Sequence, residues 1–345
     1  MAKREKDHRS KDAASAARSQ SENPLDQGKL GETPADSLIE RLTGVEGLSC
    51  RPHHSLARRS TLRIGGPADF FAEAAGVPAL GALLREVDRL RLPFVVLGHG
   101  ANVLIPDRGL RGVVACLGGE LAGFELDSCG VVAGAAVPMA RLARAAARRG
   151  LGGLEALAGF PSTVGGAVFM NAGCYGTETK DILVEVRLLD RQGEEVVLPV
   201  AELDARYRHT ALFESGMVVT SARFDLIPGD PQELEARIDE LNRRRRQSLP
   251  SGRPNAGSVF KNPEGDSAGR LLDAAGLKGE AVGAAQISER HANVIVNLGG
   301  AKASEVVELM ARAQRAVRAR FGVSLEPELR LLGELEAGYR GLIAA

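Results

Sequence analysis

The sequence predicts an α+β fold, with two folded domains behind a polar N-terminal segment. Apolar residues recur at helical spacing near 77–90, 138–150 and 304–321, and the short apolar runs between them read as hairpins, not as a regular βαβ repeat. The breaker Pro228-Gly229-Asp230-Pro231 divides the chain. Residues 1–37 are rich in Lys, Arg, Asp, Glu, Ser and Ala. They hold too few large apolar groups to offset their ordering entropy, and a disordered tail is expected there.

Folding begins near Asp36-Ser37-Leu38. Val77-Pro78 opens a helix with Leu80, Leu83, Leu84, Val87 and Leu90 on one face and Pro78 in the first turn. A short buried strand, Phe94 to Leu97, ends at Gly98, and a second follows from Asn102 to Ile105. Pro138 leads a helix through Met139, Leu142, Ala143 and Ala146, stopped by Gly150. Strands are expected at 184–189, 195–198 and 217–224. Beyond the breaker, Leu234, Ile238 and Leu241 mark a helix that runs into Arg243-Arg244-Arg245-Arg246, read as a solvated end whose cations complement the helix dipole. A strand follows at 293–298. Ser304 is the expected N-cap and Gly322 the stop of a helix burying Val306, Met310, Val317 and Phe321. A strand over 324–332 is expected to close the domain. The boundaries are 1–37 for the tail, 38–229 and 230–335 for the two domains, and 336–345 for a C-terminal tail.

At 345 residues, 44% hydrophobic and 26% charged, the chain has ample material for a core. A net charge of zero and the absence of Trp argue against nucleic acid as a partner. No apolar run reaches the ~18 residues of a membrane span, and the N-terminus lacks the apolar core of a signal peptide, so a cytoplasmic protein is expected, with no membrane or obligatory protein partner. Cys50, Cys116, Cys129 and Cys174 form no Cys-x-x-Cys pair, and Cys50-x-x-His53 has no second ligand pair near it. Free, mostly buried thiols and no metal site are expected.

The chemistry concentrates in four segments. Gly98-His99-Gly100-Ala101-Asn102 joins two strands; it lacks the third glycine and the helix of a dinucleotide-binding fingerprint, yet it can present backbone N–H groups to a pyrophosphate. Alone it reads first as a tight hairpin. Pro161-Ser162-Thr163-Val164-Gly165-Gly166 and Asn171-Ala172-Gly173 are two small-residue loops, suited to a flat ligand or to close packing of helix on sheet. Gly257-Ser258-Val259-Phe260-Lys261-Asn262-Pro263 and Glu326-Pro327-Glu328-Leu329-Arg330 complete the set. Ser258 alone is a turn hydroxyl, Arg208 alone a surface ion-pair partner, and Glu328 alone a solvated strand residue.

In this order the segments resemble the UDP-N-acetylenolpyruvoylglucosamine reductases. The resemblance runs from Thr61-Leu62-Arg63-Ile64-Gly65-Gly66-Pro67-Ala68 to Gly333-Glu334 and includes Tyr207-Arg208-His209-Thr210, Gly276-Leu277-Lys278-Gly279 and the run from His291 to Asn297. It implies a two-subdomain FAD-binding fold of the PCMH (vanillyl-alcohol-oxidase-like) type over 38–229 and an α+β substrate domain after it. It also implies FAD as cofactor, NADPH as co-substrate, and UDP-N-acetylglucosamine enolpyruvate as substrate. FAD is expected on Gly98, His99, Gly100, Ala101, Asn102, Pro161, Ser162, Gly165, Gly166, Asn171 and Gly173. Lys261, Asn262, Lys278 and His291 are expected at the substrate.

The implied catalytic residues are Arg208, Ser258 and Glu328. Ser258 would protonate C2 after hydride reaches the methylene carbon; a carbanionic carbon is basic enough to accept a serine proton. Arg208 would pair with the carboxylate. Glu328 would act as a second polar group across the reacting carbons. Ala101 and Ser162 depart from the family's usual Ser and Gly, and no Tyr lies between Phe224 and Pro250, which points to the shorter, second class. Two other readings are a different flavin oxidoreductase acting on an alcohol or lactone, with His99 as a covalent flavin anchor, and a nucleotide-binding homologue without catalysis.

Overall fold

A computed structural model describes residues 34–344, with side chains from Leu38 onward. The tail expected over 1–37 lies outside these residues except for its last four, which begin helix α1 (Pro34–Leu42).

The first lobe contains β1 (Leu48–Ser55), β2 (Pro67–Ala74), α2 (Val77–Arg89), β3 (Phe94–Val96), β4 (Val103–Leu104) and β5 (Leu110–Leu117). Its sheet runs β1-β2-β5-β3, with β1 antiparallel to β2 and the other pairs parallel. Alternation along β2 sends Phe70 and Ala72 toward Leu83 and Val87 of α2 and toward Leu38 of α1. Phe71 faces the opposite side, with Leu97 and Val114. The strand expected at 102–105 exists, but it does not form a hairpin with β3. It pairs in parallel with Arg330–Leu331, from the far end of the chain.

The second lobe follows with β6 (Phe124–Leu126), β7 (Gly130–Gly134), α3 (Met139–Arg148), β8 (Leu151–Gly152), α4 (Val164–Phe169) and the hairpin of β9 (Gly173–Cys174) and β10 (Thr177–Glu178). Then come β11 (Leu183–Leu189), β12 (Glu195–Pro199), α5 (Leu212–Ser215), β13 (Val218–Asp225), β14 (Ile227–Pro228) and α6 (Pro231–Ser248). The antiparallel sheet β12-β11-β13-β7-β6 packs on α3 and α4 around Val131, Leu142, Val186 and Phe224. Helix α6 opens the domain expected from residue 230, yet its Ile238 enters this second core. The breaker before it turns the chain back, with Gly229 N–H donating to the Gly150 carbonyl, and Arg144–Asp239 and Arg148–Glu235 pairs tie α3 to α6.

The third lobe holds β15 (Asn255–Ser258), α7 (Ala268–Ala274), β16 (Ala281–Val282), β17 (Ala285–Ile287), β18 (Val294–Asn297) and α8 (Ala303–Phe321). Its sheet is β15-β18-β17-β16, all antiparallel. Val306, Met310 and Val317 are buried as their spacing requires, Phe321 only partly, and Gly322 ends α8 in the left-handed region (φ 72°). Ser304 is not the N-cap. The carboxylate of Asp107, from the first lobe, accepts from the Ala303 and Ser304 N–H groups and from the Ser304 hydroxyl. Of the strand expected over 324–332 only a single bridge, Pro327 to Phe260 of the third lobe, and β19 (Arg330–Leu331) form, and β19 pairs with β4. The residues expected as a C-terminal tail contribute helix α9 (Leu335–Ala344), where Tyr339 is buried and donates to Gln314 on α8. Leu62, Ile64 and Leu104 of the first lobe belong to the third lobe's core, so these two lobes share one apolar interior.

Candidate active site

The three lobes meet around Arg208 and Glu328. Arg208 Nε donates to Glu328 Oε1 at 2.6 Å, and its Nη2 donates to the Gly173 carbonyl at 2.9 Å. Both side chains are mostly buried, 17% and 14% exposed. Burial raises the Glu328 pKa, against the opposing pull of Arg208, then Lys261 and Arg245.

Three segments bring Glu328 here. Its own N–H and that of Leu329 donate to the Val259 carbonyl, which places it beside the strand that ends at Ser258. Its carbonyl accepts from Asn102 Nδ2 at 3.0 Å, and Asn102 in turn accepts from the Arg330 N–H. Asn102 thus ties the first glycine loop to the Glu328 segment and β19.

Ser258 is presented by a distortion of β15. The register shifts between Asn255 and Ser258, and Gly257 lies at φ 72°, a conformation costly for any residue with a Cβ. The Asn255 side chain accepts from Gly257 N–H and holds the bulge. Among the described residues no side-chain hydrogen bond uses the half-buried Ser258 hydroxyl, although its neighbours Gly257 and Phe260 are bonded, which leaves its proton for a ligand.

The glycine loops differ in what they leave open. Gly98 and Gly100 are packing glycines: a Cβ on Gly98 would lie 2.5 Å from Thr163 Oγ1, and one on Gly100 2.1 Å from the Arg59 carbonyl. That contact sets the first loop against Thr163, the N-cap of α4. No protein acceptor among the described residues takes the backbone N–H groups of residues 98–102, while Gly98 and His99 are exposed. Consecutive free amides beside small residues suit a diphosphate. The second segment is already satisfied: Val164 N–H goes to Val137, Gly165 N–H to Ala135, and Gly166 N–H to the Thr163 side chain. The Ser162 hydroxyl donates to the Thr163 carbonyl, Pro161 is exposed, and Ala101 is half-buried with no polar side-chain group to offer. The residues present therefore fit FAD through the free amides of the first loop, with the second serving as a packed wall.

Lys261 lies near Glu328 and pairs with Glu326 at 3.4 Å. Lys278 and His291 lie together: Lys278 pairs with Asp273 at 2.6 Å, and His291, half-buried beside α7, accepts from Asn293 N–H. Burial, then the Lys278 charge, lowers the His291 pKa. Asn262 spends its side-chain oxygen on the Ala268 N–H.

Two cations were not singled out from sequence. Arg245 is not a solvated member of its run; it packs against Gly159, and its charge reaches both Glu328 and Cys174. The spacing 234, 238, 241, 245 puts it on the buried face of α6 and could have disclosed it. Arg330, two residues from Glu328 on an extended strand, stacks over Phe213 at 4.2 Å, and burial lowers its pKa.

A first lobe with free loop amides, a second with a packed glycine wall and a third carrying Ser258 define a flavin-binding oxidoreductase. Residues 68–198 match the FAD binding domain family, and residues 249–332 match the family described as UDP-N-acetylenolpyruvoylglucosamine reductase, C-terminal domain. A relative from Anaeromyxobacter sp., named UDP-N-acetylenolpyruvoylglucosamine reductase, is 45% identical over 307 residues, covering 89% of this chain and 95% of its own. Another, from Agathobacter rectalis and bearing the same name, is 39% identical over 317 residues, covering 88% of this chain and all of its own. The crystal structure of the Thermus caldophilus UDP-N-acetylenolpyruvylglucosamine reductase superposes with a TM-score of 0.72 at 37% identity, over 83% of this chain and 99% of that one. The chain belongs to the UDP-N-acetylenolpyruvoylglucosamine reductase family.

Proposed function

We infer that the protein reduces the enolpyruvyl group of UDP-N-acetylglucosamine enolpyruvate to the lactyl ether of UDP-N-acetylmuramate, a peptidoglycan precursor, with NADPH as reductant. Family membership supports the reaction. The observation that carries its assignment to this chain's residues is the meeting of Arg208, Glu328 and the strand of Ser258 where the three lobes join.

When bound, FAD supplies a two-electron relay from NADPH to the methylene carbon of the substrate. The residues of this chain supply the rest. Arg208, a forked cation held in a mostly buried site, suits the substrate carboxylate and the negative charge that spreads onto it as hydride adds. Ser258 gives its unshared proton to C2, and solvent returns a proton to the serine. Glu328, its pKa raised by burial, neutralises Arg208 in the absence of substrate and carries a proton when substrate takes the guanidinium. Lys278, His291 and Lys261 are assigned to the UDP diphosphate and sugar. The amides of residues 98–102 are assigned to the cofactor diphosphate. The use of two nucleotide substrates supports a cytoplasmic enzyme.

Anaerobic titration of the purified protein tests this reading. A yellow protein that bleaches with NADPH and regains colour with UDP-N-acetylglucosamine enolpyruvate establishes the reaction. Bleaching without recovery means a different electron acceptor, and a colourless protein that takes up no FAD overturns the cofactor assignment.

A further inference from the structure

Asn171 lies within the small-residue loops expected to hold FAD, yet its side chain faces protein. It is 1% exposed, in the left-handed region (φ 40°) that Asn tolerates better than most residues. Nδ2 donates to Glu178 Oε2 at 2.9 Å and to the Arg206 carbonyl at 3.0 Å, while Oδ1 accepts from the Lys180 N–H at 3.0 Å. Both amide protons are therefore committed, leaving no donor for a cofactor.

We propose that Asn171 is a positioning residue for Arg208. The proposal rests on the reading of Arg208 as the group that binds the substrate carboxylate. Two of its partners lie on the segments that fix this arginine. Arg206 opens a tight turn, closed by reciprocal backbone bonds between Arg206 and His209 at 3.0 and 3.1 Å, and Arg208 sits inside it at φ 57°. That conformation costs a residue with a Cβ roughly 1–2 kcal/mol and persists only where its surroundings impose it. Asn171 grips the turn through the Arg206 carbonyl. The guanidinium end is set by the Gly173 carbonyl, and Gly173 pairs with Glu178 in the β9–β10 hairpin. Asn171 grips that hairpin through Glu178 and the segment after it through Lys180. One buried amide thus fixes the backbone origin of the Arg208 side chain and the anchor of its far end. The guanidinium, 5.0 Å from the Tyr207 ring centroid, then meets Glu328 at 2.6 Å.

Rapid mixing of the FAD-loaded, NADPH-reduced protein with UDP-N-acetylglucosamine enolpyruvate tests the proposal, using Asn171→Gly, Arg208→Met and the double variant. Glycine keeps the backbone conformation and removes only the side chain. The FAD dissociation constant and the rate of bleaching by NADPH are expected to stay within about threefold of the parent. Flavin reoxidation by substrate is expected to slow about 100-fold, the scale of a misplaced catalytic group. In the Arg208→Met background the Asn171 change is expected to add nothing. Reoxidation at the parent rate in Asn171→Gly overturns the proposal. So does weakened FAD binding with reoxidation intact, which makes Asn171 a cofactor ligand after all, and so do effects that multiply in the double variant, which make its role independent of Arg208. Parent-rate reoxidation in Arg208→Met overturns the reading of Arg208 itself and this proposal with it. Should the glycine variant not fold, Asn171→Asp carries the same test: it keeps the Oδ1 acceptor, loses the two donations and turns a carboxylate oxygen toward Glu178 and the Arg206 carbonyl.

Discussion

Arg208 and Glu328, 120 residues apart in sequence, form a 2.6 Å ion pair where the second and third lobes meet. The pair is mostly buried, and burial opposes the carboxylate charge more than the neighbouring cations favour it. A substrate carboxylate that takes Arg208 must displace a carboxylate already there. Protonating Glu328 removes the competitor.

Substrate affinity should therefore depend on pH. As pH rises through the raised Glu328 pKa, the dissociation constant of UDP-N-acetylglucosamine enolpyruvate should increase, by at most tenfold per pH unit for one coupled proton. In Glu328→Gln this dependence should vanish, with affinity at neutral pH equal to or tighter than that of the parent and turnover lower. Calorimetric titration at several pH values checks both; a Glu328→Gln profile that parallels the parent would show that another group titrates.

Ser258→Ala separates proton donation from shaping of the site. No side-chain hydrogen bond uses this half-buried hydroxyl among the described residues, so its removal should leave FAD binding and bleaching by NADPH unchanged. Reoxidation by substrate should fall 10²–10⁴-fold, the range for loss of a positioned general acid. Stopped-flow absorbance reads the two half-reactions separately, and equal losses in both would assign Ser258 a structural role.

Local pattern made α2, α3 and α8 legible, because each buries a stripe at helical spacing, and α3 and α8 also end at a glycine. The segment over 324–332 was not legible. Its two strand residues bond to Val103–Leu104, and no local feature announces a parallel partner so far away in sequence. The same limit hid the cap of α8: Ser304 has the right chemistry, but it is the second residue inside the helix, and the acceptor comes from Asp107. Arg208, Ser258 and Glu328 were reached through motif order. Asn171 drew attention as part of a small-residue loop, and only its three partners reveal what its amide does. Arg245 was missed because four consecutive arginines read as one solvated feature, although only its position continues the apolar face of α6.

His291 sets a sign for stability against pH. Its folded pKa is lowered, by burial first and then by the Lys278 charge. The unfolded chain thus takes up a proton near pH ~6.5, before the folded protein does. Stability tied to neutral His291 is fully present above that value and is lost as pH falls through it toward the lowered folded pKa. In His291→Gln the drop in melting temperature between pH 7.5 and pH 5.5 should be smaller than in the parent. An identical drop would mean that His291 titrates alike folded and unfolded.

The cap supplied by Asp107 predicts an asymmetry between two substitutions. The Asp107 carboxylate satisfies two N–H groups at the start of α8, favours the positive end of the helix, and joins the first lobe to the third. Loss of an N-cap side chain costs ~0.5–2 kcal/mol, and Asp107→Ala should fall in that range. Ser304→Ala removes a hydroxyl that donates to the same carboxylate but leaves both backbone bonds in place. Its cost should stay below about 0.5 kcal/mol, as for an ordinary surface substitution. Urea denaturation of the two variants beside the parent measures the difference. A larger loss in Ser304→Ala than in Asp107→Ala would return the cap to Ser304 and remove the link between lobes.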